Sequence, residues 1–162
     1  MYRWLVFVHV LGVFLFLMAH GISAGVAFGV HKERQLDRLR ALLELSSASY
    51  GIMYGGLLLL LITGIINGFI GKWWGTGWIW TSLVLLIVIS GAMNGIGSRY
   101  YARVRKAVGS PYLERNKVQP PLPPASSEEI DALLKAGKPM LLTVIGVVGI
   151  AVMAWLMMFK PF

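Results

Sequence analysis

The stretch WLVFVHVLGVFLFLMAHGISAGVAFGVH, Trp4–His31, decides the fold, because it runs for 28 residues without a charged side chain. At ~1.5 Å per residue a helix of this length reaches ~40 Å, more than the ~30 Å hydrocarbon core of a bilayer. A cleaved signal peptide has a shorter apolar segment behind a more basic flank, so this one reads as a permanent span. It also holds every histidine of the chain, His9, His20 and His31, at intervals of eleven residues. Eleven helical residues leave a drift of only ~20° and a climb of ~16.5 Å. On one continuous helix the imidazoles therefore form a line at three membrane depths. An imidazole there is either hydrogen-bonded into the bundle or bound to something.

Working outward, the composition fits a polytopic membrane protein. Of 162 residues, 57% are hydrophobic and 14% charged, where a soluble domain carries about 25% charged residues. The apolar excess falls in four runs, which predict spans over 4–30, 45–70, 78–97 and 140–159 in a single integral domain. Residues 98–139 form the only sizeable polar connection. Such spans predict an all-α fold, a transmembrane four-helix up-down bundle. Twelve of the fifteen Lys and Arg residues lie in the first and third connections, leaving Arg3, Lys72 and Lys160 elsewhere. By the positive-inside rule those two connections are cytoplasmic and both termini lie outside. The basic loops then face anionic lipid headgroups rather than nucleic acid. Without cysteine there is no disulfide, thiolate metal site or covalent c-type haem.

The connections have their own signals. KERQLDRLR mixes charges at helical spacing and reads as a helical lead-in to the second span. Gly21, Gly25 and Gly29, like Gly91 and Gly95, are small residues four apart, a pattern that lets another helix approach closely. Asn67 and Asn94 are amides at membrane depth that call for partners, and Asn94 is expected to bond to another helix. The tryptophan-rich GKWWGTGWIW suits a headgroup anchor, with an aromatic cage for a cation as the sharper alternative. In the third connection VQPPLPPASS reads as extended. Ser126 with Glu129 forms a capping-box signature. It predicts one short amphipathic cytoplasmic helix, Ser127 to Ala136, on the inner membrane surface or docked on the bundle.

No nucleotide-binding loop, hydrolase triad or zinc-protease motif is present, so no catalytic residues are assigned. Nor does any carboxylate lie inside a span, which argues against proton pumping and leaves a small-solute transporter as the weakest reading. Counting from helix centres places His20 level with Met53, Tyr54, Met93 and Asn94. His9 comes level with Thr63, Asn67, Met153 and Met157, and His31 falls at the cytoplasmic surface, where it reads as solvated. Imidazole with thioether suits Cu(I), and His/Met is a haem axial pair. The candidate cofactor or metal ligands are thus His9 and His20, with Met93 and Met153 as second ligands, for haem b or copper. A bis-histidine haem needs a second chain, hence a homodimer or a subunit of a larger complex. The rival reading is a non-catalytic scaffold or accessory subunit whose histidines are only hydrogen-bonded.

WLVFVHVLGVFLFLMAHG resembles the opening helix of small bacterial integral membrane proteins related to the copper-resistance CopD family. It is distantly similar to the first helix of HemJ-type protoporphyrinogen oxidases, which has an early histidine. The four-span layout with GWIW…RYYARVRKAVG extends the resemblance to the CopD-related group over most of the chain. The resemblance implies the bacterial inner membrane, a haem or metal histidine at His9, and a link to copper passage. The rest of the HemJ signature is missing, so oxidase activity is not implied.

Overall fold

The computed structural model describes residues 2–115 and 117–162. Of the described residues 81% are helical. Four helices are long and apolar enough to cross a membrane, as in a multi-pass membrane protein. Helix α1 is Tyr2–Lys32, α2 Leu36–Ile70 and α3 Gly77–Ala107. A hairpin of β1, Tyr112–Glu114, and β2, Lys117–Gln119, follows. Helix α4 is Ser127–Lys135 and α5 Pro139–Phe159.

The helices outrun the apolar runs that predict them. Helix α2 starts nine residues before its expected span (36 against 45), so the charged lead-in is helical and only Glu33–Gln35 break the path from α1. Glu33 makes that break. Its carboxylate accepts from the backbone N–H groups of Arg34 at 2.8 Å and Gln35 at 3.0 Å. These bonds, with Gln35 contributing most, hold its pKa below the ordinary carboxylate value. Helix α3 likewise continues through the basic segment to Ala107. It stops at a turn where Gly109 has φ +73°, and a Cβ there would lie 2.9 Å from the Leu122 carbonyl oxygen. The short hairpin lies in the third connection, and its second strand overlaps the start of the stretch read as extended. Ser126 and Glu129 form the reciprocal capping box at the start of α4.

Helix α1 packs along α2, α3 packs along α5, and α1 also touches α5. The α1–α2 contact is backbone to backbone. A Cβ at Gly56 would meet Phe16 N at 2.7 Å, and one at Gly12 would meet Leu60 N at 2.9 Å. Higher in the same pair Ser23 and Ser49 hydroxyls lie 3.2 Å apart, and Gly29 rests on Leu42, so the two helices run antiparallel. The other glycines of the four-apart repeats behave differently. Gly21 and Gly25 on α1, and Gly91 and Gly95 on α3, have no atom within 4 Å of an added Cβ. Asn94 also faces outward and its side chain makes no hydrogen bond among the described residues; only its carbonyl accepts, from Ser98 at 2.6 Å.

The largest apolar core sits at the basic end, where Val30, Leu39, Leu43, Val104, Val108 and Leu134 are fully buried. At the other end Trp78 and Ile79 bury against Leu156, with Trp73 and Trp74 packed alongside. Lys160 Nζ lies 3.9 Å from the Trp73 ring centroid and 5.6 Å from that of Trp78. The chain's own ammonium thus occupies the aromatic face on which the sequence allows a foreign cation.

Because Gly12 and Gly56 admit no side chain, Gly56→Leu should destabilise the protein by about 1–3 kcal/mol, seen as a lower thermal midpoint in mild detergent. Gly25→Leu, at an open position, should leave the midpoint within about 0.5 kcal/mol of wild type. Equal effects of the two would remove the close contact as a source of stability.

Candidate functional site

Helix α1 is unbroken from Tyr2 to Lys32, so its three imidazoles ride on one rod. Each meets a different neighbour. The His9 ring lies over Gly64 of α2, where an added Cβ would be 3.2 Å from Cε1. His9 Nδ1 is 2.9 Å from Thr63 Oγ1. Thr63 is buried, and its hydroxyl donates to the Leu59 carbonyl at 2.6 Å, with the Leu60 carbonyl at 3.2 Å. A hydroxyl has one hydrogen, so with that hydrogen committed its oxygen faces His9 as an acceptor. Nδ1 must then carry the ring's proton, and Nε2 keeps its lone pair. The sequence placed Thr63 at the depth of His9, and here the two are bonded.

His20 lies against α5. An added Cβ at Gly146 would be 2.7 Å from Nε2, so the ring edge fits only because position 146 has no side chain. Phe16, one turn earlier, stacks on the ring at 5.9 Å between centroids and 12° between planes. His20 makes no hydrogen bond among the described residues. Its seat escapes sequence reasoning because glycine carries no polar signal; a glycine at imidazole depth on a facing span is the one available clue.

His31 departs from the solvated residue expected of it. It is half-buried, and its Nδ1 donates to the Leu134 carbonyl at 2.9 Å, tying α1 to α4. The Tyr100 hydroxyl points at the same carbonyl at 3.4 Å. Arg34 pairs with Asp131 at 2.6 Å beside this joint. Capture by another helix's terminal carbonyl, which also accepts from Gly137 N–H at 3.2 Å, is a tertiary event, and spacing along α1 does not report it.

Of the proposed second ligands, Met93 is half-buried on α3 and Met153 half-buried on α5. The hydrogen bonds of the imidazoles go to Thr63 and Leu134, and neither sulfur is a partner of either ring. No group of three His, Cys, Asp or Glu residues is assembled for a metal ion among the described residues. The chain can therefore offer His9 as one oriented nitrogen ligand, which suits a haem axial position or one corner of a Cu(I) site. Completing either takes a thioether, a solvent molecule or a second copy. Asn67 Oδ1, read as needing a partner, is buried without one among the described residues, as is Trp74 Nε1.

Comparison with protein-family models, curated proteins and solved structures returns no match.

The hydrogen bond between α1 and α2 is open to a double-mutant cycle. His9→Ala, Thr63→Val and the pair should show a coupling of about 1 kcal/mol in detergent unfolding, while Thr63→Ser retains the wild-type midpoint. Additive single effects would mean that the contact contributes nothing.

Proposed function

We propose that this is a bacterial inner-membrane protein that takes haem b or copper on His9 and serves redox or metal handling. The observation that carries the reading is the contact of His9 Nδ1 with Thr63 Oγ1 at 2.9 Å; with the Thr63 hydroxyl donating to the Leu59 carbonyl, Nδ1 carries the ring's proton and Nε2 is left unprotonated. Metal-ligating histidines characteristically donate their other N–H to such a partner, which fixes the ring and raises ligand basicity. In this reading the four long helices cross the bilayer in alternating directions. The basic connections and amphipathic α4 lie in the cytoplasm, and both termini lie outside. His20 ranks below His9 as a ligand, because its Nε2 is covered by the α5 backbone at Gly146. Haem b would bring one-electron chemistry and copper a cargo or redox ion. The contribution of this chain is an imidazole oriented by Thr63 and seated over Gly64.

A second reading has its own support. Each histidine contacts a different element, α2, α5 or α4, so all three also work as joints of a non-catalytic scaffold or accessory subunit.

Absorption spectra of protein purified in mild detergent, before and after dithionite, together with iron and copper assays, separate the two. A cofactor signal abolished in His9→Ala, retained in His20→Ala and weakened about tenfold in affinity by Thr63→Val is expected. Loss in His20→Ala with retention in His9→Ala would overturn the assignment of the ligand. A protein that stays colourless and metal-free after loading with haem or Cu(I) would leave the scaffold.

A further inference from the structure

The basic end of the bundle has a cleft of about 200 Å³ where α3 passes the start of α5. Ile96 and Leu142 form its apolar side, and Tyr100, Tyr101, Arg103 and Lys138 supply the polar side. This lies where the apolar run of α3 gives way to its basic segment and where α5 enters its own apolar run, the level of lipid headgroups. A cleft apolar toward the bilayer and cationic toward water matches an amphiphile with a negative head.

Several cations at this end are compensated; Lys32 and Arg99 have no carboxylate partner among the described residues, but neither lines the cleft. Arg34 and Lys135 pair with Asp131, at 2.6 and 2.5 Å. Arg38 pairs with Glu33, Arg40 with Asp37 and Arg105 with Glu44. Lys106 lies over the Tyr112 ring at 5.1 Å. Arg103 of α3 and Lys138, just before α5, line one cleft and have no carboxylate within 4 Å among the described residues. Tyr101, half-buried on the same lining, makes no side-chain hydrogen bond among the described residues. One lining thus holds two cations without a carboxylate partner and a phenol without a hydrogen bond, groups able to neutralise and hydrogen-bond a phosphate.

We propose that this cleft binds the phosphate of an anionic phospholipid, with Arg103 and Lys138 on the headgroup, Tyr101 donating to it, and an acyl chain along Ile96 and Leu142. The lipid would join α3 to α5 at the point where α4 turns into α5. The site needs only that the long helices cross a membrane; it is independent of any cofactor on α1. Basic pockets between spanning helices are established sites for anionic headgroups, each nearby cation adding to the preference.

The test is titration of delipidated protein in neutral detergent with phosphatidylglycerol or phosphatidylcholine, read by native mass spectrometry and thermal midpoint. One phosphatidylglycerol is expected to be retained, about tenfold or more tighter than phosphatidylcholine. Arg103→Gln with Lys138→Gln should abolish that preference. Arg115→Gln with Lys117→Gln, the same charge change in the distant hairpin, should keep it. The lipid-free midpoints of both variants establish that they fold. Equal loss in both variants, or no loss in the first, would overturn the site. The same stabilisation by millimolar inorganic phosphate would overturn the lipid as its source.

Discussion

Where α1 crosses α2, backbone meets backbone. The Phe16 amide lies over Gly56 and the Leu60 amide over Gly12, with no room for a methyl group at either glycine. In water, burying larger side chains would be the ordinary way to hold two helices together. In a bilayer the lipid tails are as apolar as leucine, so association depends on close van der Waals contact and on polar groups brought within reach. Here the two are linked. The close approach at Gly12 and Gly56 sets the spacing at which His9 reaches Thr63 on one side and Ser23 reaches Ser49 on the other. Without it the imidazole proton would have no acceptor on α2 and the ring no fixed orientation.

The rest of the bundle follows the same division between lipid and water. Within the most apolar window of each long helix only 11–22% of residues are buried, whereas the basic end has six fully buried aliphatic side chains from α1, α2, α3, α4 and the turn after α3. The hydrophobic effect operates only where water is the alternative. The chain accordingly concentrates its aliphatic core and its ion pairs at that end. Helix α4 closes this core with Ile130 and Leu134, and its Leu134 carbonyl is the acceptor for His31. Helix α3, which barely touches α2, is held chiefly through α5, where Ile89 fills the space over Gly149. The polar seam at His9 and the apolar core at the basic end are thus two solutions to one problem, solved in two solvents.

Hydropathy made the long helices legible but not their ends. It marks the length that lipid tolerates, whereas the hydrogen-bonded helix continues into water wherever the sequence permits, as in Leu36–Glu44 and Arg99–Ala107. The depth count brought Thr63 to His9 because both lie on well-bounded spans. It did not find Gly146 beneath His20. The four-apart glycine repeats locate the contact only in part, because small residues show that a helix can be approached, not that anything approaches it. Gly21, Gly25, Gly91 and Gly95 are open, while Gly29 rests on Leu42 and Gly12 and Gly56, outside these repeats, make the backbone contact. Asn94 went the same way, its depth legible and its outward direction not. The capping box at Ser126 and Glu129 was readable because it is entirely local.

The three histidines, equivalent in sequence, are chemically distinct once their partners are known. His31 donates Nδ1–H to a carbonyl at the basic end, beside ion pairs and close to water, where solvent can satisfy the other nitrogen. His20 presents Nε2 to the α5 backbone and stacks its face on Phe16, so its packing is steric and aromatic rather than polar. Only His9 sits within an apolar span in a relay of donors that starts at the ring and ends on a helix carbonyl, Nδ1–H to Thr63 and hydroxyl to Leu59. Such a relay polarises the imidazole toward its other nitrogen, since each bond in the chain strengthens the next. A lone pair so placed in a medium without water is an unfavourable thing to leave unmatched. That makes the joint and the proposed ligand compatible roles: one nitrogen of His9 fixes the helix pair, and the fixing is what would make the other a good donor.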